Sequence, residues 1–358
     1  MLNSFDAPQQ PAIEVRDLTK DFRRPHRRSG RFSAIRTLLT TRYEVVRAVD
    51  EISFTIQAGE VVGYIGSNGA GKSTTIKMLT GVLGPTAGTV LVDGRRPAEA
   101  RKETARRIGV VFGQRSQLWW DLPLVESLEL IADIYGVEPD RYRRNLARID
   151  GVLGLSEFLT TPVRQLSLGR RMRGDLAAAV LHDPAVLFLD EPTIGLDVHT
   201  RDRVIDFVRL MNEEQGTTVV LTTHDLADIE RLCSRVILID HGSVAYDGTV
   251  ERLKAAYRAE RTLTVTYDVG PAQNTGTATF AVGQALGPGT VVESAPGRVR
   301  ILLPTNASAV PSVLADVGAR CAITDLSIAE NSLENVVKEL YTAEAGFEVL
   351  AAARETDR

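Results

Sequence analysis

The residues from Gly66 to Thr74 have the types and spacing needed to bind phosphate groups. They read Gly-Ser-Asn-Gly-Ala-Gly-Lys-Ser-Thr, which fits the pattern G-x-x-x-x-G-K-[ST]. The apolar run Val61–Ile65 predicts a strand before them, and Ser73–Leu83 predicts a helix after them. Free backbone N–H groups at a helix N-terminus attract anions. We therefore expect these residues to hold a nucleoside triphosphate: Gly66, Ser67, Asn68, Gly69, Ala70, Gly71, Lys72, Ser73 and Thr74.

The residue types in that loop each suit the binding of phosphate. Glycines at 66, 69 and 71 let the backbone curl around the phosphates without a Cβ clash. Lys72 would reach the β- and γ-phosphates, and the Ser73 hydroxyl would bind Mg²⁺.

Two acids follow a second apolar run. Ala185–Leu189 predicts a buried strand that ends in Asp190 and Glu191. Asp190 fits a water-mediated Mg²⁺ ligand, and Glu191 fits the general base that polarises the attacking water. A strand running into a solvated acidic turn is the alternative. The segment Pro192–Asp197 directly after it favours the hydrolytic interpretation.

Four more short motifs occur elsewhere along the chain. Gln114 follows the predicted strand Ile108–Phe112, and Leu166–Arg170 reads Leu-Ser-Leu-Gly-Arg at the start of a predicted helix. Gly195–Asp197 and then His224 complete the series. A lone glutamine is usually a surface group, and a lone histidine is usually a structural one. The order and spacing of these motifs are therefore what supports a shared function.

Taken in order across residues 12–256, these motifs resemble the ATP-binding-cassette (ABC) ATPase family. The resemblance implies that Gln114 contacts Mg²⁺ and senses the γ-phosphate, and that His224 is the switch histidine. It also implies that Ser167 and Gly169 form the signature motif and that Asp197 belongs to the D-loop. The family signature is Leu-Ser-Gly-Gly-Gln, so Leu168 and Arg170 depart from it. Ser167 and Gly169 keep a hydroxyl donor and a close-approach backbone for a γ-phosphate.

The resemblance further implies that an aromatic ring after the first strand stacks on adenine. Phe22 is the candidate and Tyr43 is its rival, because a basic segment lies between the two. Stacking uses the face of the ring and needs no charge. A buried core aromatic is the alternative for Phe22.

The composition narrows the class of protein. The 358 residues have a formal net charge of −4, which argues against a general nucleic-acid binder, and we expect no nucleic-acid partner. The two cysteines, Cys233 and Cys321, predict no disulfide framework. No apolar run is long enough to span a bilayer, and no signal peptide is evident. We expect a cytoplasmic protein, peripheral on the inner face of the plasma membrane.

Alternating strand and helix patterns predict the fold class, an α/β P-loop NTPase core with a mostly parallel sheet. We expect this nucleotide-binding domain over residues 12–256, with a helical subdomain over about 115–180 and a basic insertion over about 23–47. That insertion holds eight arginines and one acid. It is either a solvated loop or a short amphipathic helix that contacts anionic lipid or a membrane partner.

Residues 258–345 predict a small α+β accessory domain. Strand patterns occur at Thr262–Tyr267, Thr277–Ala281 and Arg298–Leu303, and helical patterns at Ala307–Val317 and Ser332–Leu340. The region resembles the accessory domain of ABC exporter ATPases in the drug- and polysaccharide-export branch, and the resemblance implies dimerisation or regulation.

The resemblance implies a mechanism and partners. Two cassettes, a homodimer being expected, would enclose ATP between the phosphate loop of one and the signature helix of the other, and drive a separate polytopic membrane permease. Trp119 and Trp120 would form a docking edge for that permease if they are exposed, and part of the core if they are buried. The alternatives are an ABC ATPase that regulates a membrane complex, or one that acts on DNA or ribosomes, without transport.

Overall fold

The computed structural model describes residues 10–25, 43–113, 115–256, 261–268, 280–303, 309–329 and 333–342. The chain divides into two compact units, Met1–Gly248 and Thr249–Arg358.

The first unit contains two sheets. Its strands are β1 (Ile13–Pro25), β2 (Tyr43–Ile56), β3 (Val61–Gly66), β4 (Ala87–Val92), β5 (Ile108–Phe112), β6 (Val186–Asp190), β7 (Thr218–Thr222), β8 (Arg235–Asp240) and β9 (Ser243–Thr249). One sheet has three antiparallel strands in the order β2-β1-β4. The other has six strands in the order β5-β6-β7-β3-β8-β9, and the five from β5 to β8 pair in parallel. The fold class expected from the sequence, α/β with a mostly parallel sheet, is confirmed.

The helices of the first unit lie between these strands. They are α1 (Lys72–Leu79), α2 (Arg101–Ala105), α3 (Leu124–Tyr135), α4 (Pro139–Leu153), α5 (Leu168–Val180), α6 (Val198–Gln215) and α7 (Leu226–Leu232). Short 3₁₀ turns at Leu155–Glu157 and Val163–Gln165 connect α4 to α5. Several ends follow local chemistry: Pro139 starts α4, and α3, α4 and α6 are each followed by a glycine with positive φ.

The central strands are continuous apolar runs because both faces of the parallel sheet are covered. Four residues of β6, Val186–Leu189, are buried, and so is all of β7. The core between the two sheets includes the fully buried ring of Tyr64, which packs against Phe54. These rigid strands bring their carboxyl ends, and the loops that follow them, to one edge of the sheet.

The second unit is an antiparallel sheet with helices. It comprises α8 (Val250–Ala256), β10 (Arg261–Tyr267), β11 (Ala285–Leu286), β12 (Gly289–Ala295), β13 (Arg298–Leu303), α9 (Ala309–Gly318), β14 (Ile323–Ala329) and α10 (Leu333–Thr342), and the strand order is β11-β12-β13-β10-β14. Its core joins alternate residues of the strands to Val313 and Val317 of α9.

Several expectations about individual elements were wrong. Strands β1 and β2 continue as a ladder to Pro25 and Tyr43, so both ends of the expected basic insertion are strand. Helix α1 ends at Leu79 rather than Leu83. Of the expected strand Thr277–Ala281, residues 280 and 281 are irregular and the rest lie outside the described residues. Strands β4, β9, β11, β12 and β14 were not expected.

Candidate active site at the phosphate loop

The phosphate loop lies between β3 and α1, and close approach of other backbones explains two of its glycines. Gly71 has φ +105°, and a Cβ there would come within 2.5 Å of the Ala48 carbonyl oxygen. A Cβ at Gly66 would lie 2.4 Å from the carbonyl oxygen of Ile239 on β8. The loop is therefore held from both sides by neighbouring backbone.

Lys72, the first residue of α1, is turned into this loop. Its Nζ donates to the carbonyl oxygens of Gly66 at 2.6 Å and Ser67 at 3.0 Å. Burial lowers the pKa of Lys72, and the carboxylates of Glu191 and Asp190 partly offset that effect. The ammonium group is thus placed between the loop and the acid pair, where a bound phosphate would meet it.

The acid pair is positioned by the neighbouring strand. Asp190 is the last residue of β6 and is in register with Thr222 of β7, whose Oγ1 donates to Asp190 Oδ1 at 2.5 Å. Glu191 has φ +56°, which is uncommon for a residue with a side chain. Its N–H donates to the Thr222 carbonyl oxygen at 2.9 Å, which holds this turn in place.

The turn also depends on a glycine after β5. A Cβ at Gly113 would lie 2.8 Å from the carbonyl oxygens of both Asp190 and Glu191, and Gly113 N–H donates to the Asp190 carbonyl at 2.8 Å. Neither Gly113 nor Thr222 was expected from the sequence. The parallel register that pairs Asp190 with Thr222 is the only signal for Thr222, and it requires the strand order.

His224 lies against the proposed base. Its Nε2 is 2.5 Å from Glu191 Oε1, and both side chains are partly exposed. This contact fixes the Glu191 carboxylate in one orientation. The expectation that Glu191 and His224 act at one place is consistent with this geometry.

A cavity of about 310 Å³ opens beside these residues. It is lined by Ser73, Lys77, Val82, Phe112, Gly113, Arg115, Asp190 and Glu191. Ser73 and Asp190 supply oxygen ligands of the kind that Mg²⁺ prefers, and Thr222 orients the Asp190 carboxylate. The residues present therefore fit a magnesium ion bound together with a triphosphate. The described residues hold no cluster of three or more His, Cys, Asp or Glu suited to a metal by themselves.

The signature residues stand at a different helix end. Ser167 caps α5, and its Oγ accepts from the Arg170 N–H at 3.4 Å. The Leu168 side chain lies beside the D-loop, since a Cβ at Gly195 would come within 3.1 Å of Leu168 Cδ2. Gly169 approaches Thr200 of α6 just as closely. The departure at Leu168 thus makes an apolar contact between the signature motif and the D-loop of the same chain.

Asp197 caps the next helix. Its carboxylate accepts from the backbone N–H of Thr200 at 3.0 Å and from its hydroxyl at 2.7 Å, and these bonds lower the pKa of Asp197. Neither Asp197 nor Ser167 lines the cavity beside the acid pair, as far as the described residues go. Gln114 lies outside the described residues.

The candidate for adenine stacking is exposed. The Phe22 side chain on β1 is 37% exposed, with Lys20 Nζ 5.5 Å from the ring centroid. The core alternative for Phe22 is therefore wrong. Tyr43, its rival on β2, is 57% exposed, so adenine stacking on Phe22 stays a prediction.

Comparisons with known proteins identify the family of the chain. The family model described as "ABC transporter" matches residues 49–194. The chain is 34% identical over 224 residues to the ABC transporter ATP-binding protein NatA of Bacillus subtilis, which is 63% of this chain and 89% of that protein. It is 39% identical over 214 residues to the daunorubicin/doxorubicin resistance ATP-binding protein DrrA of Streptomyces peucetius, covering 60% and 64% respectively.

A solved structure extends the likeness to the fold. A dimeric ATP-binding cassette in a post-hydrolysis state, bound to ADP and Pi, covers 66% of this chain and 98% of its own, with 26% identity and a TM-score of 0.55. The chain belongs to the ABC transporter family of ATP-binding proteins. It is an ATPase of that family.

Proposed function

We propose that this chain is the ATP-hydrolysing subunit that drives a separate membrane permease, with Mg²⁺ as its metal and a second copy of the chain as its dimer partner. The observation that carries the proposal is the convergence of Lys72, Asp190, Glu191 and His224 on one edge of the sheet. None of the helices within the described ranges is long and apolar enough to cross a membrane.

In the proposed mechanism the chain's own groups orient the triphosphate and the attacking water. Lys72 leaves its two loop carbonyls and donates to the phosphates, while the loop N–H groups bind the remaining charge. Ser73 and Asp190 would hold a magnesium ion, which would supply charge neutralisation of the phosphates. Glu191 accepts a proton from the attacking water. His224 contacts Glu191 and holds its carboxylate in the orientation that this proton transfer needs.

A second helix end supports the proposed dimer. The first N–H groups of a helix have no partner within the helix and suit a phosphate, yet Ser167 at the start of α5 does not line the cavity beside Glu191. A second chain in head-to-tail arrangement would bring its own Ser167 to that phosphate. ATP would then hold the two chains together, and loss of the γ-phosphate would release them.

The surface for the permease is apolar with an acidic rim. Trp119 and Trp120 are 40% and 53% exposed, so the core alternative for them is wrong. Trp119 N–H donates to Ser127 Oγ of α3 at 3.2 Å, which places the pair next to that helix. On α3, Leu130 and Ile134 are exposed on consecutive turns, and the acids Glu126, Glu129 and Asp133 are exposed beside them. This surface favours a basic amphipathic segment of the permease.

The experiment uses the Glu191→Gln variant loaded with Mg-ATP and purified from gently solubilised membranes, with Lys72→Ala as the matched variant that should bind triphosphate roughly 10–100-fold more weakly. A polytopic membrane protein that co-purifies stoichiometrically with the first variant, and much less with the second, supports the proposal. Recovery of ribosomes or DNA instead would point to an ABC ATPase without transport.

The direction of transport is a separate part of the proposal. Export is supported by the similarity to a protein named for daunorubicin and doxorubicin resistance, although a relative named for methionine import is 34% identical. Inverted membrane vesicles that contain the chain and its permease expose the cassettes to added ATP. ATP-dependent accumulation of a fluorescent anthracycline inside them is expected for an exporter of this class, and ATP-dependent release would indicate import.

A further inference from the structure

The segment Arg115–Trp120 joins the nucleotide cavity to the exposed tryptophan pair over six residues. Arg115 lines the cavity together with Ser73 and Glu191, and its N–H donates to the Phe112 carbonyl oxygen at 2.9 Å. At the other end, Trp119 and Trp120 are exposed. What holds the middle of this segment therefore decides whether its two ends move together.

The carboxylate of Asp175 on α5 binds the middle of this segment. Asp175 Oδ1 accepts from Ser116 Oγ at 2.9 Å and from the Gln117 N–H at 3.0 Å. Gln117 Nε2 returns a bond to the Asp175 carbonyl oxygen at 3.1 Å. The Asp175 side chain is 6% exposed, so these bonds are shielded from water. The three bonds fix the segment to α5 at one point.

Two more residues on the same face of α5 contact the segment. A Cβ at Gly174 would come within 3.0 Å of Leu118 Cδ1, so the segment packs directly on the helix backbone. The Arg171 guanidinium lies 5.6 Å from the centre of the Trp120 ring. Positions 171, 174 and 175 are spaced by three and four residues and therefore share one side of the helix.

Stability alone does not explain why an acid is buried at position 175. Burial raises its pKa to about 6, although the bonds from Ser116 and Gln117 and the charge of Arg171 oppose the shift. Burying a carboxylate is unfavourable even when it is hydrogen-bonded, and an apolar residue at the site would avoid that cost. A buried acid with a raised pKa that bonds the residues next to cavity-lining Arg115 is more typical of a functional position than of a packing position.

We propose that Asp175 is a positioning residue that fixes the segment Arg115–Trp120 to α5, so that nucleotide binding at the cavity moves the tryptophan pair and the signature serine Ser167 as one body. The inference rests on the proposed function, because it assumes that the cavity takes Mg-nucleotide. Ser167 begins the same helix eight residues before Asp175, about 12 Å along its axis. One carboxylate would thereby connect the chemistry of one ATP site to the helix end that serves the other.

The chain offers a direct readout, since Trp119 and Trp120 are its two tryptophans. Their emission reports on this segment alone. The experiment titrates the full-length protein with Mg²⁺ and the non-hydrolysable analogue AMP-PNP, and records tryptophan emission. Binding is measured separately by the anisotropy of a fluorescently labelled ATP that the analogue displaces.

Four variants separate positioning from general damage. Asp175→Asn keeps an acceptor oxygen at Oδ1, Asp175→Ala removes it, and Ser116→Ala removes one donor without touching the buried acid. Asp150→Ala is the matched control, because Asp150 also accepts from a serine hydroxyl and a backbone N–H, those of Ser156. We expect the emission change to be kept in wild type, Asp175→Asn and Asp150→Ala, reduced in Ser116→Ala and lost in Asp175→Ala, with nucleotide affinity altered less than about threefold throughout.

Each other outcome has a distinct meaning. A full emission change in Asp175→Ala, or none in wild type that binds the analogue, overturns the inference and leaves the proposed function standing. Failure of wild type to bind the analogue overturns the proposed function and the inference with it. If Asp175→Ala does not fold, Ser116→Ala decides, and an undiminished change there overturns the inference.

Discussion

Two helix N-termini of the first unit are suited to phosphate, and they differ in how much of their surroundings one chain supplies. At α1, Lys72 lies among its loop carbonyls and near two carboxylates, and His224 contacts Glu191. At α5, Ser167 bonds to its own helix, and its neighbours Leu168 and Gly169 pack against the D-loop and α6. The groups proposed for the chemistry are assembled within one chain, whereas the proposed signature end has no base near it. Under the proposed function, a second copy would therefore complete the ATP site.

The variant Glu191→Gln is expected to have the largest effect of those that test the difference between the two helix ends. If the α1 end carries the chemistry, loss of the base should lower the rate of ATP hydrolysis by roughly 10²–10⁴-fold. Binding should persist, because Lys72 and the loop remain. Phosphate release and labelled-ATP anisotropy measure the two quantities, and Glu213→Gln on α6 is the control. Turnover at the wild-type rate would remove Glu191 from the role of base.

Lys72→Ala is expected to have the next largest effect. The variant loses a cation placed between the loop and the acid pair, and hydrogen bonds to charged groups contribute about 1.5–3 kcal/mol. ATP affinity should fall by roughly 10–100-fold. Lys102→Ala, an exposed lysine of α2, should leave ATP affinity unchanged. Equal affinity in both variants would contradict the assignment of the phosphate loop.

A smaller effect, but one specific to the second helix end, is expected for Ser167→Asp. Aspartate caps a helix as well as serine does, so α5 should stay intact. Its negative charge, however, opposes a γ-phosphate presented by another chain. We expect Mg-ATP-dependent dimerisation of the Glu191→Gln protein to weaken by about tenfold, with ATP binding to the monomer unchanged. Ser167→Asn, a neutral cap, is the control, and light scattering measures the dimer.

If Ser167→Asp instead lowers ATP affinity of the monomer, the contrast between the two ends is wrong, and both serve one site in one chain. If dimerisation is unaffected, the signature end does not face phosphate at all.

The α1 end was predictable from sequence, because its residues are contiguous in two short motifs with a strand before each. The residues that hold those motifs were not. Thr222 and Gly113 act through strand register and backbone approach, and Asp175 meets Ser116 across 59 positions of the chain. No local pattern encodes such contacts. The ends of β1 and β2 were missed for another reason: their arginines suggested a solvated loop, whereas an antiparallel ladder tolerates charged side chains on its exposed face.

The smallest expected effect is on stability. It concerns the bonds of Asp175 to the segment Arg115–Trp120, which connect the α1 and α5 helix ends. The pKa of Asp175 is raised from 3.8 to about 6 in the folded chain, so folding favours the protonated form. Its contribution to stability is greatest below the unfolded pKa and is lost as pH rises towards the folded pKa. Between pH 5 and pH 7 the wild type should therefore lose about 1 kcal/mol relative to Asp175→Asn, which does not titrate.

Urea unfolding of the two proteins at both pH values measures that difference. The pKa of His182 is lowered to about 4 by burial, so His182 destabilises the fold as pH falls, but it does so in both proteins and cancels in the comparison. A pH-independent difference would mean that Asp175 is solvated in the folded chain. The bonds of Asp175 would then be too weak to hold the segment Arg115–Trp120 on α5. Any coupling between the nucleotide cavity and α5 would then have to run through other contacts.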